Sequence, residues 1–298
     1  MTNENKNNQE ERLRKICKIN SDPVHTGEVE VAERPTVSKE EIKAALRQLG
    51  IQPGDRLMVH SSLKALGWID GGPQTIIEAL QETVTESGIV AMPAFTVSVD
   101  NGSSLPFNRE LTAPKTWIGA IPEVFRKTPG VIRSPHPTHS VCAWGAEAEA
   151  FLEQTEPYDC FADDGPWGKL AERGKIVFIG PAVYSNTFLH ACEKWFAGYL
   201  DETMALVDTG GYIRQVRVTN FPGGCRGRWY ELGTAAPYFQ KLQKMGVYTC
   251  VELGASGIIL CDAPKLKEAA RKMFAEDRYI LLHECGCRDC ARMRAKNP

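Results

Sequence analysis

A short apolar strand, a helix and a second apolar strand follow one another between Arg56 and Phe95, and this succession restricts the fold more than any other stretch. Pro53-Gly54-Asp55 turns the chain into the strand Arg56 to His60. Gly72 and a first-turn proline, Pro73, open a helix that runs to about Thr85, Ser87-Gly88 ends it, and Ile89 to Phe95 is apolar again. Strands joined by a helical crossover lie parallel, because the crossover returns the chain to the same end of the sheet. The loop after the first strand, SSLKALGWIDGG, therefore stands at a carboxyl edge, where open α/β sheets place their ligands.

The remainder of the chain extends this unit. Ser38 with Glu41 three residues on predicts a capped helix from Lys39 to Leu49, closed by Gly50. Val97 to Lys115 is polar and reads as a long loop over the site, followed by a helix near Trp117 to Lys127. RSPHPTHSVCAWG (Arg133 to Gly145) is irregular through its two prolines before a strand at Ser140 to Trp144. Ala146 to Gln154 is helical, and an acidic loop, Tyr158 to Gly165, leads through the short helix PWGKLAERG to the strand Lys175 to Gly180. Beyond Asp201 the alternation in Tyr212 to Phe221 and in parts of Val247 to Leu260 predicts antiparallel strands. A helix near Tyr238 to Met245 separates them, and an amphipathic one, Lys265 to Ala275, follows. The expected fold is α/β, one domain over residues 36–298 with a mixed parallel/antiparallel sheet flanked by helices. Residues 1–35, rich in Asn, Glu, Lys and Gln, read as a mobile extension with a short charged helix around Gln9 to Lys18.

Charge and cysteine usage exclude several functions. A net charge of −2 gives no basic footprint, so nucleic acid is not an expected partner. No apolar run approaches the roughly 20 residues of a membrane span, and the polar N-terminus lacks a secretory core, so a cytoplasmic location is expected. In that compartment the ten cysteines are not a disulfide framework. Cys142, Cys192, Cys250 and Cys261 sit among apolar residues as core thiols, whereas Cys285, Cys287 and Cys290 crowd into HECGCRDC. Those three, with Cys225 or His283, have the makings of a structural zinc site; free thiols and a disulfide are the other readings.

The chemistry centres on SNTFLHACE, Ser185 to Glu193. His190 and Glu193 stand three residues apart and share a helical face, as a general base and its partner require. The loop His60-Ser61-Ser62-Leu63-Lys64 with Gly67 offers hydroxyls, N–H groups, an ammonium and a small residue, the parts that hold phosphates or an amide-bearing arm. Neither GxxxxGK[ST] nor a GxGxxG after a strand is present. Asp159, Asp163 and Asp164 form an acidic cluster that would attract a polyamine, or else a solvated, helix-capping turn. His136 and His139 in HPTH are either a wall of the site or locally bonded residues of a proline-stiffened connection.

The run GDRLMVHSSLKALGWIDGGPQTIIEAL, the block RSPHPTHSVCAWG, the segment DDGPWGKL and SNTFLHACE occur in the order and spacing of one family. In these motifs, over about residues 38 to 200, the chain resembles the aminoglycoside 3-N-acetyltransferases. The resemblance implies a mixed α/β fold distinct from the GNAT superfamily and transfer of an acetyl group from acetyl-CoA to an amine, as in antibiotic resistance. It also implies that His60, Ser61, Ser62, Leu63, Lys64 and Gly67 line the CoA path, with Ser134, His136 and Ser140 near the thioester. His190 takes the place of the catalytic base with Glu193 as its support, and Asp163 and Asp164 stand toward the substrate. The expected partner is a small-molecule amine, with a homodimer as one reading of the chain's assembly. A biosynthetic or metabolic amine as acceptor, or a non-catalytic CoA-binding homologue using its cysteine tail, are the alternatives. The tail itself departs from the family pattern, which leaves the acceptor open.

Overall fold

The computed structural model describes residues 8, 9, 11–13, 15, 16, 34–96, 105–180, 182–198, 201–220, 236–282 and 288–296. The strands in chain order are β1 (Thr36–Val37), β2 (Arg56–Ser61), β3 (Trp68–Ile69), β4 (Ile89–Pro93), β5 (Ile132–Arg133) and β6 (Val141–Trp144). They continue as β7 (Lys175–Ile179), β8 (Asp201–Asp208), β9 (Ile213–Asn220), β10 (Tyr248–Leu253) and β11 (Ser256–Asp262). Seven form one mixed sheet in the order β10-β11-β7-β2-β4-β6-β5. At its centre β7, β2 and β4 run parallel, as the crossover between β2 and β4 requires, and β11 and β6 close on either side antiparallel.

Both faces of the sheet are covered. Leu57 and Val59 of β2, Val90 and Met92 of β4, and Val177 and Ile179 of β7 face one apolar cluster. Against it lie α1 (Lys39–Gln48), α2 (Gly72–Val84) and α3 (Ala120–Arg126). Met58, Ile89, Ala91, Ile176 and Phe178 face the other cluster, with α4 (Ala148–Leu152), α5 (Pro166–Arg173), α6 (Phe188–Cys192), α7 (Pro237–Lys244) and α8 (Ala263–Glu276). This period-two division makes each central strand apolar throughout, the pattern of parallel strands buried on both sides. The predicted cap of α1 is a capping box: the Ser38 hydroxyl accepts from Glu41 N–H, and the Glu41 carboxylate accepts from Ser38 N–H at 2.8 Å.

The chain leaves β2 for β4 over the α2 face and reaches β7, on the other side of β2, over the α5 face. Connections that diverge from one strand open a crevice at its carboxyl end. The segments after β2, β4 and β7 meet there. The predicted antiparallel strands form two separate hairpins: β10–β11 extends the sheet, whereas β8–β9 stands apart from it. β8–β9 is joined to the loops above the crevice by bridges at Phe107↔Val207 and Asp159↔Thr219.

The described part of the N-terminal segment packs against the core. Leu13 and Ile16 are buried in the core, Gln9 Oε1 accepts from Cys250 N–H at 3.0 Å, and Lys15 pairs with Glu252 at 2.5 Å. β10 is an edge strand with outward N–H groups to satisfy, and two apolar residues three apart on one helical turn give the segment a face to bury. The last helix, α9 (Arg288–Lys296), seats Met293 in the same cluster. No described helix is long and apolar enough to cross a membrane. Ile16→Ala should lower unfolding free energy in urea by about 2–5 kcal/mol, the cost of a core cavity; a change near zero would return the segment to the surface.

Candidate active site

His190 lies in α6 and Glu193 at its C-terminal boundary, where the chain widens into a π turn over Glu193–Ala197. Gly198 N–H closes that turn on the Glu193 carbonyl at 3.0 Å. The expected pair forms: His190 Nδ1 and Glu193 Oε2 are 2.5 Å apart. Glu193 has no exposed side-chain surface, while 20% of His190 reaches solvent. A carboxylate can only accept, so Nδ1 carries the proton and Nε2 carries the ring's lone pair. Asn186 precedes the helix and its Oδ1 accepts from Phe188 N–H at 3.2 Å.

Across the crevice, β2 ends at Ser61, and Ser62 N–H bonds the Ile179 carbonyl at 2.8 Å before a 3₁₀ turn over Leu63–Ala65. The first N–H groups of such a turn have no partner within it. Lys64 is exposed. Gly180, which the sequence reading passed over, has φ +74°, and a Cβ there would lie 2.9 Å from Ala65 Cβ, so this glycine lets the turn seat against the end of β7. Gly67 has φ +105°, and a Cβ there would come within 2.4 Å of the Pro35 carbonyl, a close approach to the chain itself.

His60 is buried with its ring stacked on Phe178 at 5.4 Å, on the α6 side of the sheet. Burial lowers its pKa to about 3, so the ring is neutral. Its Nε2, the Ser61 hydroxyl and the Asn186 amide nitrogen are buried without a partner. A buried polar atom without a partner costs about 1–3 kcal/mol. Three at one sheet edge suit a bound molecule with donors and acceptors, such as the amide arm of a CoA thioester.

The RSPHPTH residues turn inward. Ser134 Oγ accepts from Val141 N–H at 2.9 Å, and Ser140 Oγ accepts from Arg133 Nε at 2.9 Å while donating to the Ala94 carbonyl at 2.8 Å. His136 donates from Nε2 to the carbonyls of Tyr158 (3.0 Å) and Thr219 (3.1 Å) and accepts at Nδ1 from His139 N–H at 2.9 Å. Burial lowers its pKa to about 4, against the raising effect of the bonds to the Thr219 and Tyr158 carbonyls. These residues hold the wall in place, and His139, half-buried 4.9 Å from the Phe95 ring, is the imidazole beside it. Arg133, which sequence reasoning missed as a functional residue, is the clamp. Its guanidinium donates to the carbonyls of Thr112 (2.5 Å) and Ala94 (2.7 Å) and lies 4.9 Å over the Phe107 ring. Burial lowers its pKa to about 10, which still leaves it charged at neutral pH.

The acidic loop is largely spoken for. Asp159 pairs with Lys194 and accepts from the Thr219 hydroxyl at 3.0 Å, and Asp164 Oδ2 caps Thr155 N–H at 2.7 Å; Asp163 is exposed. Cys225, Cys285 and Cys287 lie outside the described residues, whereas Cys290 is buried. Among the described residues no group of three or more His, Cys, Asp or Glu is placed to hold a metal ion. Burial raises the thiol pKa values of Cys142 to about 12 and Cys250 to about 11, and those of Cys160, Cys192 and Cys261 well above the ordinary value. None of these five is poised as a nucleophile.

Fold and site together define a class: mixed-sheet α/β proteins with a His–Glu pair on the helix that follows a central parallel strand. The sequence profile described as Aminoglycoside 3-N-acetyltransferase matches residues 58–275, and the chain belongs to that family. It is 32% identical over 175 residues to the SPbeta prophage-derived aminoglycoside N(3')-acetyltransferase-like protein YokD of Bacillus subtilis (strain 168), covering 52% of this chain and 64% of that protein. It is 32% identical over 174 residues to aminoglycoside N(3)-acetyltransferase III of Salmonella sp, covering 52% of this chain and 60% of that enzyme. The matched stretch thus spans under two thirds of either relative. The crystal structure of YokD superimposes with a TM-score of 0.71 at 26% identity over 82% of this chain and 94% of that one. AAC-IIIb, solved as a binary complex with CoASH, superimposes with a TM-score of 0.71 at 24% identity over 81% and 97%.

The two buried histidines make stability depend on pH. Their folded pKa values, about 3 and about 4, lie below the unfolded value, so the unfolded chain binds more protons and stability rises with pH. Between pH 7 and pH 5 each should remove about 2 kcal/mol, with the loss continuing toward pH 4. Urea unfolding at the two pH values checks this, and His136→Asn should flatten the dependence.

Proposed function

We propose that the protein transfers an acetyl group from acetyl-CoA to an amino group of an aminoglycoside or related aminocyclitol. The observation that carries the reading is the 2.5 Å contact of His190 Nδ1 with the buried Glu193 carboxylate, on the helix that follows β7, the parallel neighbour of β2. An amine cannot attack a thioester while protonated, and an imidazole with an ordinary pKa of about 6.5 is a suitable base near neutral pH. In this reading His190 Nε2 takes the proton as the amine nitrogen bonds the acetyl carbon. Glu193 holds the tautomer and stabilises the imidazolium. The C–S bond breaks, the electron pair leaves on the CoA sulfur, and the proton passes from His190 to that thiolate or to water.

The Ser61–Lys64 turn supports cosubstrate binding: its first N–H groups, the orphaned Ser61 hydroxyl and the exposed Lys64 ammonium match the amides and phosphates of CoA. The CoASH complex of AAC-IIIb, a protein of the same fold, is consistent with this. Buried thiols of raised pKa favour direct attack over an acetyl-enzyme. Asp163 and Asp164 remain the substrate-facing carboxylates of this proposal, with Asp163 the better placed because Asp164 already caps Thr155. A metabolic amine as acceptor uses the same machinery.

Acetyl-CoA turnover with a panel of amines, followed by thiol release, is the direct test; CoA binding without turnover of any amine would leave only a binding protein. His190→Ala should lower kcat at least about 100-fold with acetyl-CoA affinity little changed. Glu193→Gln should lower kcat by about two orders of magnitude or more, because an amide can donate to Nδ1 and fix the wrong tautomer. Activity retained in either variant would move the base elsewhere.

A further inference from the structure

We propose that Lys194 is a positioning residue for the His190–Glu193 pair, acting through its contact with Asp159. The inference rests on the acetyltransferase reading for its kinetic arm and on geometry alone for its spectroscopic arm.

Lys194 directly follows Glu193 inside the π turn Glu193–Ala197. Such a turn is rare within α-helices and frequent at functional sites. A tether from outside the helix would fix it to its surroundings. Lys194 supplies that tether: its ammonium donates to the Asp159 carboxylate and, at 2.9 Å, to the Phe161 carbonyl. Only 24% of the Lys194 side chain and 20% of that of Asp159 is exposed, so the pair is shielded from water more than an ordinary surface ion pair.

Asp159 cannot follow the lysine if the turn relaxes. Its other oxygen accepts from Phe161 N–H and from the Thr219 hydroxyl, both at 3.0 Å. Thr219 N–H bonds the Tyr158 carbonyl at 3.0 Å, and His136 Nε2 grips the Tyr158 and Thr219 carbonyls together. The anchor is therefore a junction of the HPTH loop, the acidic loop and β9. The Lys194 bonds fix the backbone on which Glu193 stands and so hold its carboxylate against His190. Asp159 is thereby committed to holding the base, and a cationic acceptor cannot use it without releasing the turn.

Lys194→Met should lower kcat about tenfold or more, leave the KM for acetyl-CoA within about twofold, and be partly rescued in Lys194→Arg. Asp159→Asn should reproduce the loss, and the double variant should be no worse than either single one, as for two members of one contact. Independently of turnover, the His190 Nδ1 proton should give a downfield, slowly exchanging resonance in the wild-type protein, lost in Lys194→Met and retained in Lys194→Arg. Additive losses, or a Lys194→Met variant that is less stable yet keeps both kcat and the resonance, would overturn the proposal. If no amine is acetylated by the wild type, the resonance still decides the positioning role while the acetyltransferase reading falls.

Discussion

A carboxylate with no exposed surface dictates the arrangement of this molecule's crevice. Removing an ionised group from water is costly unless hydrogen bonds replace the lost hydration, and Glu193 answers that cost with the Nδ1–H of His190. The requirement fixes the tautomer of the imidazole and orients its ring. It also demands that the backbone carrying Glu193 stay in place, because a small rotation would take the buried charge away from the Nδ1–H of His190. The π turn, Gly198 with its φ of +70° and the neighbouring Lys194 are the local means by which the backbone stays there.

The walls of the crevice follow the same logic with neutral and cationic groups. Arg133 and His136 each satisfy loop carbonyls, those of Ala94 and Thr112 for one and of Tyr158 for the other, and each is buried. Loops without regular hydrogen bonding need such partners if they are to hold one conformation, since their backbone groups have no ladder to join. The polar residues of RSPHPTH thus serve as internal struts. A side chain whose donors and acceptors are already engaged with the chain has little left to offer a ligand, which is why Ser134 and Ser140 stand near the crevice as framework.

Much of this was legible in the sequence, for physical reasons that differ from element to element. The parallel core followed from an apolar strand–helix–strand succession, because that order admits few topologies. Ser38 and Glu41 announced the start of α1, and the three-residue spacing of His190 and Glu193 announced their contact, since both depend only on local geometry. The uses of Gly67 and Arg133 were hidden, because each is decided by a neighbour distant in sequence: the Pro35 carbonyl for one, and the carbonyls of Ala94 and Thr112 for the other. Asp159 was misleading for a related reason. Its charge was visible, whereas Lys194, 35 residues on, carries no local mark that it would neutralise it. The polar character of the N-terminal segment concealed two apolar residues that suffice to bury one face.

That segment has a consequence for handling the protein. β10 ends the sheet, and the amide of Cys250 in it is occupied by a glutamine side chain from residue 9. Shortening the chain from its amino terminus, or fusing a bulky partner close to residue 8, would uncover a six-residue strand with open hydrogen-bonding groups. Such an edge recruits strands from other molecules. An oligomer seen with a trimmed form of the protein would then be a product of the trimming, and its stoichiometry would say nothing about how the intact chain associates.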